Sequence, residues 1–296
     1  MASRQVQPIA FTGASGNPLS GDFIAGKGAP LLFLHGGGQT RHAWSNALVA
    51  VAAQGASAIA IDLRGHGDSA QATDGDYRFS AYAADVAAVA SDLTTRFGSR
   101  PVAIGASLGG LSSLVAEQDA PGLLGALVLV DITPDMDIRG VEKIQGFMGE
   151  RMSEGFASLN DAADAIARYL PHRNRPKSLD GLAKNLRRGA DGRFRWHWDP
   201  RFLNGDMSIN HDSETLMRRS MARLGKLDLP VLLVRGMRSE LVDETRARAF
   251  CAAAPNARYV DVGDAGHMVA GDRNDVFIDE IVRFLGSIDV LERDDV

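Results

Sequence analysis

Six short apolar runs, each bounded by glycine, proline or a polar turn, set the frame of this sequence: Leu31 to His35, Ala56 to Leu63, Pro101 to Ala106, Gly125 to Ile132, Val231 to Arg235 and Tyr259 to Val262. Most are apolar almost without interruption, as strands covered on both faces must be. Helical spacing fills the intervals. Tyr82, Val86, Val89, Leu93 and Phe97 fall on one helix face, and Phe277, Ile278, Ile281, Phe284 and Leu285 fall on another. Strand alternating with helix predicts an α/β chain with a mostly parallel, doubly wound sheet and helices on both sides. Such a sheet gathers the loops after its strands on one edge, where ligands bind.

The alternation stops between Pro134 and Lys226. No strand-like run is evident there, and helical stretches such as Leu159 to Leu170 are separated by polar joints containing Gly and Pro. The expected organisation is a first core segment over 1–134, an inserted helical cap over 135–226 and a returning core segment over 227–296. Midway through the insertion the sequence turns basic and carries Trp196 and Trp198. One reading makes the basic residues a solvated face and the tryptophans anchors of cap to core. The other makes this stretch a pocket wall, with aromatics for an apolar substrate and an arginine for a carboxylate.

Composition excludes several classes. A net charge of −5 over 296 residues provides no basic field for nucleic acid, so no nucleic-acid partner is expected. The single cysteine, Cys251, has no second thiol to pair with and reads as a packing residue. No run approaches the roughly 18 apolar residues of a membrane span, and the start has no long apolar region after Arg4, so the default expectation is a cytoplasmic protein.

Chemistry is concentrated in Gly105-Ala106-Ser107-Leu108-Gly109-Gly110, which fits G-x-S-x-G between a strand-like run and the helical pattern Leu111, Leu114, Val115. A serine at such a turn projects its hydroxyl from the sheet, and the helix behind it offers its positive end to developing negative charge. Ser107 is therefore the candidate nucleophile. It needs a base, and of seven histidines His267 alone lies beyond the final strand and ahead of the last long helix. His35 and His66 sit in glycine-containing loops that suggest hydrogen-bonded structural roles. For the carboxylate that orients the base, Glu240 in the loop after Val231 to Arg235 is favoured because it gives the chain order Ser, acid, His; Asp131, ending the preceding strand, competes with it. His35-Gly36-Gly37-Gly38 follows another strand. The amide of Gly37, with that of Gly38 as the alternative, would join that of Leu108 as an oxyanion hole. A phosphate cradle is a poorer explanation, since neither nucleotide-binding glycine pattern is met.

Together these motifs resemble the α/β-hydrolase superfamily, esterase- and lipase-like members with a helical cap, over residues 29 to 134 and 228 to 286. Asp62-Leu63-Arg64-Gly65-His66-Gly67-Asp68-Ser69 looks like the architectural loop that these enzymes carry after their fourth strand. Members of this type usually carry aspartate where Glu240 stands, which keeps Asp131 in contention. A serine at 107 argues against the aspartate-nucleophile chemistry of epoxide hydrolases and haloalkane dehalogenases. The resemblance implies hydrolysis of a small-molecule ester of small to medium, hydrophobic character, with neither cofactor nor metal, in a pocket to which Trp196, Trp198 and Met268 contribute. Cleavage of a carbon-carbon bond, opening of a lactone, or non-catalytic binding of a small molecule are the alternatives on the same scaffold.

Overall fold

The computed structural model describes residues 5–171, 178–267, 269–272, 274–288 and 290. Its strands are β1 (Gln7–Thr12), β2 (Pro18–Ile24), β3 (Lys27–Leu34), β4 (Ala56–Ile61), β5 (Val102–Ala106), β6 (Ala126–Val130), β7 (Leu186–Arg188), β8 (Phe194–Trp196), β9 (Val231–Gly236) and β10 (Ala257–Val262). All six apolar runs are strands of one eight-stranded sheet, ordered β1-β2-β4-β3-β5-β6-β9-β10. From β4 to β10 every pairing is parallel, whereas β1 and β2 form an antiparallel hairpin that extends the sheet beside β4. Those two strands were not among the expected ones, because their partly exposed residues form no continuous apolar run.

The helices are α1 (Ser45–Ala53), α2 (Phe79–Phe97), α3 (Leu108–Asp119), α4 (Ile138–Gly149), α5 (Leu159–Tyr169), α6 (Asp180–Ala183), α7 (Arg201–Asn204), α8 (Ser213–Arg223), α9 (Glu244–Ala253), α10 (Val269–Asp272) and α11 (Asn274–Ser287). The strand period of two divides the sheet's side chains between two cores. Leu32, Leu34, Ile59, Leu127 and Leu233 face α2, α3, α8 and α9, while Leu31, Phe33, Ile104, Val128 and Val234 face α1 and α11. Burial of both faces is the dominant stabilising term, at roughly 1.5–3 kcal/mol for each fully buried large apolar side chain.

The insertion differs from expectation in two respects. It contains strands: β7 and β8 pair antiparallel, and Phe194 bridges to Phe156. Three-residue strands interleaved with arginines around a Gly-Ala-Asp-Gly turn are too short and too polar to register as an apolar run. Phe156, Ala162, Ala165 and Leu186 form a small core of their own beneath this hairpin. The second difference concerns α8. Leu216 and Met217 on α8 join the main core, and Gln118 at the end of α3 donates to the Ser220 carbonyl at 3.0 Å, so α8 acts as the crossover helix that returns the chain to β9. Among the described residues, no helix is long and apolar enough to cross a membrane.

Candidate active site

Strand β5 ends at Ala106, and α3 begins at Leu108, leaving Ser107 as the whole of the turn. Its backbone sits at φ 45°, ψ −112°, a region that a side chain rarely adopts and that the tertiary structure must impose. The flanking glycines permit the imposition. A Cβ at Gly109 would lie 2.5 Å from the Leu34 carbonyl oxygen, and one at Gly105 would lie 2.4 Å from the Gly110 nitrogen, so strand, turn and helix pack closer than any side chain allows. Ser107 is thereby presented on the sheet edge at the amino end of α3.

The loop after β10 brings His267 to the same edge. Its Nδ1 lies 2.9 Å from Oδ2 of Asp131, which directly follows β6 and also holds a positive φ, 52°. The Asp131 carboxylate is fully buried and accepts two further hydrogen bonds, from the Gly236 amide to Oδ1 (2.9 Å) and from the Ser239 hydroxyl to Oδ2 (2.6 Å). Three donors thus replace the hydration that burial removes from this carboxylate.

Glu240 is not the partner of His267. Its carboxylate accepts from Lys143 Nζ on α4 (2.8 Å) and from the Tyr169 hydroxyl on α5 (3.0 Å), so it ties the loop after β9 to the insertion. The favoured sequence assignment is corrected on this point: Asp131, the competing candidate, makes the contact. The physical reason lies in the loop, where Ser239 turns toward Asp131 and the next side chain turns outward to the cap. Ser239 was missed by the sequence reading; a hydroxyl in the loop beside the end of β6 was the available signal.

The glycine loop after β3 is held by two neutral histidines. The amide of Leu63 donates to His35 Nε2 at 3.0 Å and that of Gly38 donates to His66 Nε2 at 3.1 Å, while the two Nδ1 atoms contact the carbonyls of Gly36 (2.8 Å) and Arg64 (2.9 Å). Accepting at Nε2 places the proton on Nδ1 in each ring. Burial pushes both pKa values down to about 3, so both rings stay uncharged and bind the glycine loop to the loop after β4. Arg64 of the latter loop is itself gripped by Asp85, with Nε and Nη2 each 2.6 Å from a carboxylate oxygen. Because the Gly38 amide is engaged by His66, it is unavailable as an oxyanion donor, which removes the alternative kept open for that residue. Among the described residues, neither the Gly37 amide nor that of Leu108 has a protein acceptor.

Ser107 and His267 line a cavity of about 1140 Å³ between the sheet edge and the insertion. Its walls are mainly apolar and include Ile144, Phe147, Met148, Leu170, Phe202 and Met217. Trp196 and Trp198 both line it. Trp198 is buried with its ring centroid 6.0 Å from that of Phe202, and Trp196 packs edge-on against Phe156 at 5.2 Å. Met268 lies outside the described residues. Among the described residues, the arginines of the basic stretch do not line the cavity. Arg193 donates to the carbonyls of Glu154 and Gly155, Arg195 to that of Ser153, and Arg187 to that of Gly67, so they fasten the β7–β8 hairpin. Cys251 is half-buried on α9 against the main core, and burial raises its thiol pKa. Among the described residues, no three His, Cys, Asp or Glu side chains converge as a metal site.

A parallel sheet with a strained serine after one strand, a carboxylate-bound histidine after the last and a helical insertion over both defines a class, and the comparisons agree. The family model described as the alpha/beta hydrolase fold matches residues 29–273, and the chain belongs to that family. It is 33% identical to the esterase Rv0045c of Mycobacterium tuberculosis over 267 residues, which span 87% of this chain and 83% of that protein. A solved structure of that esterase superposes with a TM-score of 0.72 at 28% identity, covering 96% of this chain and 92% of that one. The 2-(acetamidomethylene)succinate hydrolase of Mesorhizobium japonicum is 25% identical over 263 residues, spanning 88% of this chain and 89% of that protein. The crystal structure of E-2-(acetamidomethylene)succinate hydrolase shares the fold at a TM-score of 0.77 and 21% identity, covering 95% of this chain and 100% of that one. This chain is thus an α/β hydrolase with an esterase among its relatives.

Proposed function

We propose that this protein hydrolyses carboxylic esters with an apolar acyl group through an acyl-enzyme on Ser107. His267 takes the hydroxyl proton on Nε2 as Ser107 Oγ attacks the ester carbon, and Asp131 holds the imidazole by Nδ1 and offsets the charge it acquires. The amides of Gly37 and Leu108, the latter at the amino end of α3, receive the oxyanion. Collapse of the tetrahedral intermediate expels the alcohol, protonated by His267. A water activated by the same imidazole then frees the acid and restores the serine. The observation that supports this reading is the 2.9 Å contact between His267 Nδ1 and a buried carboxylate, with His267 lining the same cavity as the strained Ser107.

A cavity of about 1140 Å³ exceeds what a short acyl group fills, so medium-length chains and longer ones are its natural occupants. Hydrolysis of a p-nitrophenyl ester series from acetate to laurate, with Ser107→Ala beside the wild type, tests both points. The expected result is Ser107-dependent turnover with kcat/KM rising from acetate toward octanoate. Equal turnover by Ser107→Ala rejects the mechanism, and a preference for acetate rejects the assignment of the cavity.

A further inference from the structure

We infer that Ser239 is a positioning residue for the reaction, acting through Asp131; the inference rests on the Asp131–His267 pairing proposed above. Its hydroxyl has one proton and two acceptor positions. The amides of Leu241 and Val242 donate to Ser239 Oγ at 3.1 and 3.0 Å, occupying the acceptor side. The remaining partner is Asp131 Oδ2 at 2.6 Å, an acceptor-only atom, so the proton points there. With the acceptor side filled, the direction of every bond to Ser239 Oγ is fixed.

Oδ2 therefore receives two donors, the Ser239 hydroxyl and His267 Nδ1, while Oδ1 receives the Gly236 amide. This divides the carboxylate's duties. Gly236, a main-chain donor at the end of β9, fixes where Oδ1 lies. Ser239, across the same loop, prevents the carboxylate plane from rotating about the Oδ1 contact and so holds Oδ2 in line with the imidazole. The residue bearing this carboxylate has a positive φ, and its side chain has to be secured by neighbours on an adjacent strand. A hydroxyl lost here leaves the acid in place but free to turn, and the imidazole with it.

The cost should appear in turnover and not in substrate binding, because Ser239 is directed at the acid and away from the cavity. Ser239→Ala is expected to lower kcat for p-nitrophenyl octanoate about tenfold, the equivalent of one hydrogen bond, with KM within about twofold. A double-mutant cycle separates positioning from general loop support. In an Asp131→Asn background, which already lacks the acid, the same substitution should cost less than about twofold. Ser239→Thr, which keeps the hydroxyl, should retain kcat within about threefold; Ser239→Cys, a weak donor of similar shape, should fall with Ser239→Ala and serves in its place if the alanine variant does not fold. Unchanged kcat in Ser239→Ala, or an equal loss in the Asp131→Asn background, overturns the inference. Full activity of Asp131→Asn alone overturns the pairing itself, a separate failure visible before Ser239 is touched.

Discussion

Replacing Asp131 by asparagine, with Glu240→Gln as its counterpart, distinguishes the two carboxylates that the sequence offered. The Asp131 side chain is fully buried and accepts from Gly236, Ser239 and His267. An amide of the same shape keeps one acceptor and substitutes a donor for the other. If its NH2 takes the Oδ1 position, it confronts the Gly236 amide across 2.9 Å, leaving buried donors unsatisfied at a cost of about 1–3 kcal/mol. If it takes the Oδ2 position, His267 must present a lone pair at Nδ1, its proton moves to Nε2, and Nε2 no longer accepts from Ser107. A histidine locked in the wrong tautomer lowers kcat on the order of 10⁴-fold in Ser-His-Asp enzymes. Asp131→Asn should therefore lose on the order of 10³ to 10⁴ in kcat and melt a few degrees lower. Glu240→Gln gives up an ion pair to a half-exposed lysine, worth less than about 1 kcal/mol, and kcat should stay within about threefold. Steady-state hydrolysis of p-nitrophenyl octanoate, read beside thermal melts, makes the comparison. A hundredfold loss in Glu240→Gln together with a tenth or more of wild-type activity in Asp131→Asn would refute the reasoning.

Acid should weaken the fold through two buried histidines. His35 and His66 bind no proton in the fold until pH falls to about 3, yet take one up near 6.5 when unfolded, so stability is intact above about 6.5 and declines as pH falls from there toward 3. The slope grows toward about 1.4 kcal/mol per pH unit for each ring as pH falls below 6.5, together about 3 kcal/mol between pH 6.5 and 5; urea unfolding at those two values checks it, and equal midpoints would contradict the burial of the pair. His66→Gln, which keeps an acceptor for Gly38, should flatten that slope by about half, and an unaltered slope would point to other groups. Gly109→Ala places a methyl 2.5 Å from a main-chain oxygen and should cost about 3 kcal/mol or more, measured by the same unfolding; a near-neutral result would mean that the elbow Ser107 makes between β5 and α3 is not tightly packed.

How much of this was legible beforehand follows from the range of the interactions. The parallel strands and the elbow are local: an apolar run, a glycine and a helical period each occupy neighbouring residues, and their alternation dictates the layers. Ser107 and His267 could be placed because a strand end is itself a location. The acid could not, because Asp131 and Glu240 both follow strands, and the choice depends on which side chain of the loop after β9 turns inward. That turn is decided by Ser239, whose partner Asp131 is a strand away. The β7–β8 hairpin was obscured for a similar reason: Arg187, Arg193 and Arg195 look solvated in sequence and are in fact bound to carbonyls of Gly67, Gly155 and Ser153. Gly37 and Gly38 are indistinguishable as residue types, and it is the lone pair of a distant histidine that separates them.

The pairing of His267 with Asp131 leaves Glu240, in the loop after β9, to a mechanical task. Glu240 reaches outward to Lys143 and Tyr169, on the two helices that roof the cavity. The fastening of that roof can therefore be altered through positions 240, 143 and 169, and with it which molecules pass beneath, without touching Ser107, His267 or Asp131.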